Sequence, residues 1–254
     1  MSKRNTQQRR HAIMAMLSEQ GEVSVDKLSS LFETSEVTIR KDLAELEKNG
    51  ILLRRYGGAV PVPAEMVSES VVKVSERKKK IAQAAAERIR DHNRIVIDSG
   101  STTAALMPLL SQKHGLVVMT NSLKVANTIN ELEREVTLLM TGGTWDPHSE
   151  AFQGQVAEQA LRSYDFDQLF IGADGIDVER GTTTFNELIG LSRVMADVSR
   201  EVVVMVESDK IGRKIPNLEL PWQSISTLIT DSGLDSDTKR EIENKGIVVI
   251  CADS

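Results

Sequence analysis

Asp98, Ser99, Gly100, Ser101, Thr102 and Thr103 form one unbroken run, "DSGSTT", directly after the apolar stretch 95–97. Backbone N–H groups at a helix start, with hydroxyls beside them, make a cradle for an anion such as phosphate. Other polar groups end further apolar runs. Thr120, Asn121 and Ser122 close "LVVMTNS", Thr141, Gly142 and Gly143 close "LLMTGG", Asp174 lies in "LFIGADGID", and Lys210 ends "VVVMVESDK", with Glu187 in the intervening "TTFNE". Carboxylates and hydroxyls suit the hydroxyls of a sugar, and an ammonium suits phosphate. Each cluster alone is ordinary turn chemistry. Five at the ends of apolar runs describe a ligand site, because open α/β sheets bind ligands outside the carboxyl ends of their strands.

A second set of residues has a different chemistry. In "TSEVTIRKDLAELEKNGILLRRYGGAV", residues 34–60, Ile39, Leu43 and Leu46 share one helical face. Val37, Thr38, Lys41 and Lys48 project from the opposite face, with Arg40 on the flank and Ser35 as N-cap. A major groove admits such a helix. Thr38 can bond either type of base, Val37 can meet a thymine methyl, and Arg40 or Lys41 can reach guanine or phosphate. Arg54, Arg55 and Tyr56, beside Gly57 and Gly58, are expected to reach the flanking DNA backbone or minor groove, and Arg9 and Arg10, at the start of the first helix, to join them in contacts that position rather than specify. The competing reading of the charges is a solvated helix face.

These groups need elements to hold them. Apolar spacing predicts a first helix over 7–20, a second from the Ser24 cap to Phe32 with Leu28, Leu31 and Phe32 inward, and a third from Ser35 to Asn49 stopped by Gly50. Two short strands, 51–55 and 59–62, flank a Gly-Gly turn and form a wing. Prolines and small polar residues mark 61–75 as a linker, and a helix follows over 76–90. Strand-like runs at 94–97, 116–119, 136–140, 169–171, 202–206, 227–229 and 247–250, mostly separated by helical patterns, predict a parallel sheet. The expected fold class is α/β, with a winged helix-turn-helix over 1–60 and an α/β effector domain over 76–254.

Composition narrows the function classes. The 254 residues carry a net charge of −6, yet the first 60 hold ten basic against eight acidic side chains, so the acidity lies downstream. The longest apolar runs are of strand length, and no apolar leader follows the polar start, so no membrane partner is expected and the cytoplasm is the expected compartment. A lone cysteine and four scattered histidines offer no metal-ligand spacing, so neither metal nor cofactor is expected.

The stretches "RRHAIMAMLSEQGEVSVDKLSSLF" and "TIRKDL…LEKNGILLRRYGGA" resemble the winged helix-turn-helix of the DeoR family of bacterial sugar-metabolism repressors. The pattern "DSGSTT…MTNS…TGG…GADGID…TTFNE…SDK" is similar to that family's effector domain, whose fold resembles ribose-5-phosphate isomerase. The resemblance implies double-stranded operator DNA and a phosphorylated sugar or sugar alcohol as partners, and a homodimer or homotetramer. Through "MPLLS", "VMTNSL", "FDQLFIGADGID", "TTFNE" and "GRKIPN" the chain looks most similar to glucitol operon repressors, which implies glucitol 6-phosphate.

The alternative is a phosphosugar isomerase with an accessory DNA-binding domain. The isomerases carry Asp-Gly-Ala-Asp where this chain has Ile171 in place of the first aspartate and keeps Asp174; their glutamate falls near Ser192 or Arg193. Sugar isomerisation needs positioned acid and base groups, so binding without turnover is expected and no residue is assigned a catalytic role.

Overall fold

A computed structural model describes residues 9–10, 12–14, 16–17, 21–48, 52–55, 57–61, 75–132, 136–147, 149–186 and 189–252, the side chains of Glu45, Lys48 and Pro61 excepted. The chain divides into two compact units, Met1–Val72 and Lys73–Ser254. Tyr56 and Glu187, both named above, and the ends of the first predicted helix lie outside the described residues.

In the first unit the described residues between 9 and 17 are helical. They are followed by β1 (Val23–Ser24), α1 (Val25–Leu31), α2 (Glu36–Lys48), β2 (Leu52–Arg55) and β3 (Gly58–Pro61). Ser24 starts α1 because its Oγ accepts the Lys27 N–H at 3.2 Å. The helix stops in a Schellman turn, with Glu33 N–H donating to Ser30 O and Thr34 N–H to Ser29 O. Glu33 occupies the left-handed position, φ 46°, where glycine is usual. Ser35 Oγ then accepts the Thr38 N–H and begins α2.

The unit's core is Ile13, Leu17, Val25, Leu28, Ile39, Leu43, Leu46 and Leu52 with smaller neighbours. Leu31 corrects the expected inner face, because it is 57% exposed. Val25, Leu28 and Phe32 set the buried stripe at i, i+3 and i+7, and Leu31 falls at its edge. The wing has a third strand that the sequence reading missed. β1 pairs antiparallel with β3, Val23 opposite Ala59, giving the order β1-β3-β2. Gly58 is required at that crossing, since a Cβ there would stand 2.1 Å from the Val23 carbonyl oxygen.

The second unit is built on seven parallel strands in the order β15-β14-β12-β9-β4-β5-β6. They are β4 (Arg94–Ile97), β5 (Val117–Thr120), β6 (Thr137–Met140), β9 (Phe166–Ile171), β12 (Ser199–Met205), β14 (Thr227–Asp231) and β15 (Val248–Ala252). Side chains alternate between two cores. Val96, Val202 and Val204 face one, with α7 (Gln155–Arg162) and α8 (Gly190–Asp197). Ile95, Ile97, Val203 and Met205 face the other, with α3 (Glu76–Glu87), α5 (Met107–Leu110) and α6 (Leu123–Asn130).

All seven predicted strand regions therefore lie in one sheet, most shifted or extended by a few residues. The hairpin β7 (Thr144–Asp146) and β8 (Ala151–Gln153), and the antiparallel sheet of β10 (Gly175–Asp177), β11 (Gly181–Thr184) and β13 (Asn217–Pro221), were not anticipated. Their threonines and glycines lack the long apolar run that marks a buried parallel strand. Among the described residues no helix is long and apolar enough to cross a membrane.

Candidate functional site

Strand order fixes where a ligand fits. From β4 the sheet grows outward through β5 to β6, then resumes on the other side with β9, β12, β14 and β15. The loops after β4 and β9 therefore diverge, opening a crevice at the carboxyl ends of adjacent strands. Asp98 follows β4 and Asp174 follows β9.

Asp98 is held from the β5 side. Asn121 Nδ2 donates to Asp98 Oδ1 at 2.7 Å, and the Ser99 N–H donates to Asn121 Oδ1 at 3.1 Å. Asp174 Oδ2 accepts Thr184 Oγ1 at 2.8 Å and the Phe185 N–H at 3.1 Å. Lys210, in a short 3-10 turn after β12, donates from Nζ to the Ala173 carbonyl at 3.2 Å, next to Asp174 in sequence.

Two residues of this site escaped the sequence reading. Glu219, on β13, is buried and accepts Ser192 Oγ at 2.8 Å and Thr182 Oγ1 at 3.3 Å. Burial, then the Asp98 charge, then Asp174 push its carboxyl up to about 8, against hydrogen bonds from Ser192 and Thr182. Asp98 is pushed up to about 6, chiefly by burial and further by Asp174, with the Asn121 and Ser99 hydrogen bonds pulling the other way. Lys78, on α3, is buried and sets Nζ 2.9 Å from Ser101 Oγ, inside the "DSGSTT" run. The signal for Lys78 was present in the Lys-Lys-Lys run at 78–80. A helical period through Ile81 and Ala85 turns Lys78 inward. Glu219 had no signal, because its strand was not recognised.

Several predicted residues have structural duties instead. Thr103 is fully buried, and its Oγ1 donates to the Asp98 and Gly100 carbonyls. Thr120, also fully buried, accepts the Ser122 N–H, and Ser122 Oγ caps α6 through Val125. Thr103 and Thr120 thus shape the loops rather than line the crevice, a correction to their assignment. Thr102 is buried as well. Gly100, φ 142°, precedes the short α4 (Ser101–Ala104). Gly142 and Gly143 turn the chain from β6 into the β7–β8 hairpin, and a Cβ on Gly143 would meet the Gln153 carbonyl oxygen at 2.5 Å. Among the described residues no cluster of His, Cys, Asp and Glu is arranged to hold a metal ion.

In the first unit, α2 presents Ser35, Glu36, Val37, Arg40 and Lys41 to solvent, with Thr38 half-buried and Val37 60% exposed. Ser35 Oγ and Thr38 Oγ1 are 2.9 Å apart, so the cap also fixes the Thr38 rotamer. Arg40 pairs with Glu36 at 2.6 Å, Arg54 with Glu47 at 2.7 Å, and Arg55 with Glu22. Arg9 corrects the expected DNA contact. Its guanidinium is buried and its Nε lies 2.5 Å from Asp42, which Arg10 also engages at 2.9 Å. An arginine buried against its carboxylate holds α2 to the first helical segment and is withdrawn from a phosphate. Arg10 keeps part of its surface open.

The family model for the DeoR-like helix-turn-helix domain matches residues 9–63, and that for the DeoR C terminal sensor domain matches residues 73–232. The chain is 39% identical over 252 residues to the "Putative aga operon transcriptional repressor" of Escherichia coli O157:H7, covering 96% of this chain and 93% of that protein. It is 34% identical over 248 residues to the HTH-type transcriptional regulator GlpR of Haloferax volcanii, covering 96% of each. Among solved structures it is similar to ribose 5-phosphate isomerase A from Methanocaldococcus jannaschii, at 19% identity over 53% of each chain with a TM-score of 0.39. With a winged helix-turn-helix in one unit and a sensor fold in the other, the chain belongs to the DeoR family of transcriptional regulators and is not an enzyme.

Proposed function

We propose that this regulator represses a sugar or sugar-alcohol catabolic operon and that a phosphorylated sugar or sugar alcohol, with glucitol 6-phosphate the first candidate, releases it from the operator. The observation that carries the effector reading is Lys78, a buried ammonium on the hydroxyl of Ser101 in a loop rich in donors. Phosphate binds Lys78, Ser101 and the Gly100–Thr102 backbone, while Asp98, Asn121, Asp174 and Glu219 take the sugar hydroxyls, with Ser122, Gly142 and Lys210 around them. Glucitol as the sugar rests on the sequence stretches quoted above.

Val37, Thr38 and Arg40 read bases in the major groove, and Lys41, Arg10, Arg54 and Arg55 hold phosphates. One such helix covers one half-site, so the protein works as a homodimer or homotetramer on half-sites about one helical turn apart or multiples of it. The ligand acts by preferring one of two arrangements, with a coupling of about 1 to 3 kcal/mol. Fluorescence anisotropy on the DNA upstream of its own gene, at fixed salt, tests the whole reading. Glucitol 6-phosphate and other sugar phosphates are titrated beside their unphosphorylated forms. Release by a phosphorylated compound alone supports it, and tight binding indifferent to every compound defeats it.

A further inference from the structure

The first turn of α3 sets two cations around one carboxylate. Glu207, just after β12, is buried; its Oε1 accepts Ser75 Oγ at 3.1 Å and Arg77 Nε at 3.2 Å. Its other oxygen, Oε2, faces Lys78 Nζ at 3.7 Å. That distance makes an ion pair but is too long for a hydrogen bond. An ammonium has three N–H donors, and among the described residues Ser101 Oγ is the one acceptor within hydrogen-bond reach of Lys78. A buried ammonium so thinly bonded is costly, and a multiply charged anion beside Ser101 would satisfy it. Arg77 differs, because Asp209 at 3.4 Å and Asp231 at 3.9 Å hold it in addition to Glu207.

We propose that Glu207 is a built-in competitor for the effector's phosphate: it neutralises Lys78 in the free protein, and bound phosphate takes Lys78 away from it. The proposal rests on the phosphosugar reading and adds the route by which occupancy is felt. Ser75 Oγ accepts the Lys78 N–H as the cap of α3 and also bonds Glu207. When Lys78 turns to phosphate, Glu207 is left to Ser75 and Arg77, and the first turn of α3 changes its bonding. That turn begins three residues after the second unit does, at the end of the connection to the DNA-binding unit.

Isothermal titration of the full chain with inorganic phosphate, with amide hydrogen exchange on the first turn of α3, tests this. Glu207→Gln is expected to bind phosphate about tenfold more tightly than wild type. Its α3 amides, without phosphate, are expected to exchange as wild-type amides do with phosphate. Glu207→Asp, which withdraws the carboxylate from Lys78, is expected to move in the same direction by less and serves if the glutamine variant does not fold. Arg77→Gln should weaken phosphate binding in wild type and leave it unchanged in the Glu207→Gln background, because Arg77 acts through Glu207. Unchanged or weaker phosphate binding in a folded Glu207→Gln overturns the competitor and leaves the phosphosugar reading standing. A wild-type protein indifferent to phosphate removes both.

Discussion

Arg9 Nε stands 2.5 Å from Asp42 Oδ2, and both side chains are almost wholly shielded from water. The pair ties Arg9, in the helical residues described between 9 and 17, to Asp42 on α2. Breaking a buried pair on one side strands the other charge, at a cost of about 3 to 5 kcal/mol. Asp42→Ala is therefore expected to unfold the DNA-binding unit and abolish operator binding. In calorimetry of the full chain, the transition of the sensor unit should stay where it is. Native DNA affinity in Asp42→Ala would falsify this role.

Lys41 and Thr38 should respond differently to substitution. Lys41→Ala is expected to weaken binding to all DNA sequences alike and to reduce the slope of log affinity against log salt by about one phosphate contact. Thr38→Ala is expected to cost about 1 to 3 kcal/mol at one base position and to relax specificity there. Anisotropy across a salt series, on the operator and on scrambled DNA, separates the two. An equal loss on both DNAs from Thr38→Ala would take base reading away from that residue.

Glu219 predicts a pH dependence with a definite sign. Its carboxyl, raised from 4.5 to about 8, keeps its proton in the native state at pH values where the unfolded chain has lost it. The stability this contributes is complete below 4.5 and is lost as pH rises toward about 8. The limiting slope is about 1.4 kcal/mol per pH unit for one proton. Glu219→Gln is expected to flatten the fall in stability across this window and to raise the melting temperature of the sensor unit at pH 8. Denaturant titrations at several pH values measure it, and an unchanged slope in the variant would show that other groups set the dependence.

Glu33 sits in a backbone region that costs a side-chain-bearing residue about 1 to 2 kcal/mol. Glu33→Gly removes that strain, offset in part by glycine's greater freedom in the unfolded chain. The expected outcome is a gain of up to about 1 kcal/mol in the DNA-binding unit with operator affinity unchanged. A thermal melt reads it, and a lower melting temperature counts against the strain.

The elements that sequence exposes most readily are those with a strong period or a long apolar run. The "RIVI" and "VVVM" runs of β4 and β12 announce strands buried on both faces, and Ile39, Leu43 and Leu46 announce the inner side of α2. Asp98 and Asn121 could be read because each closes such a run. Glu219 could not, since β13 is a strand of mixed polarity whose buried glutamate looks like a surface residue until Ser192 and Thr182 are seen to hold it. Arg9 misled for the opposite reason. An arginine near a chain terminus reads as solvated, and its partner Asp42 is 33 residues away.

The pairing of Val23 with Ala59 has a mechanical consequence. Because β1 runs straight into α1, the wing is sewn to the helix-turn-helix at its far end as well as through β2. The wing cannot swing like a hinged flap while those bonds stand. Under the proposed function, the DNA-reading surface of a homodimer travels as a single stiff tool in each protomer, and what an inducer adjusts is the gauge between two such tools rather than the shape of either.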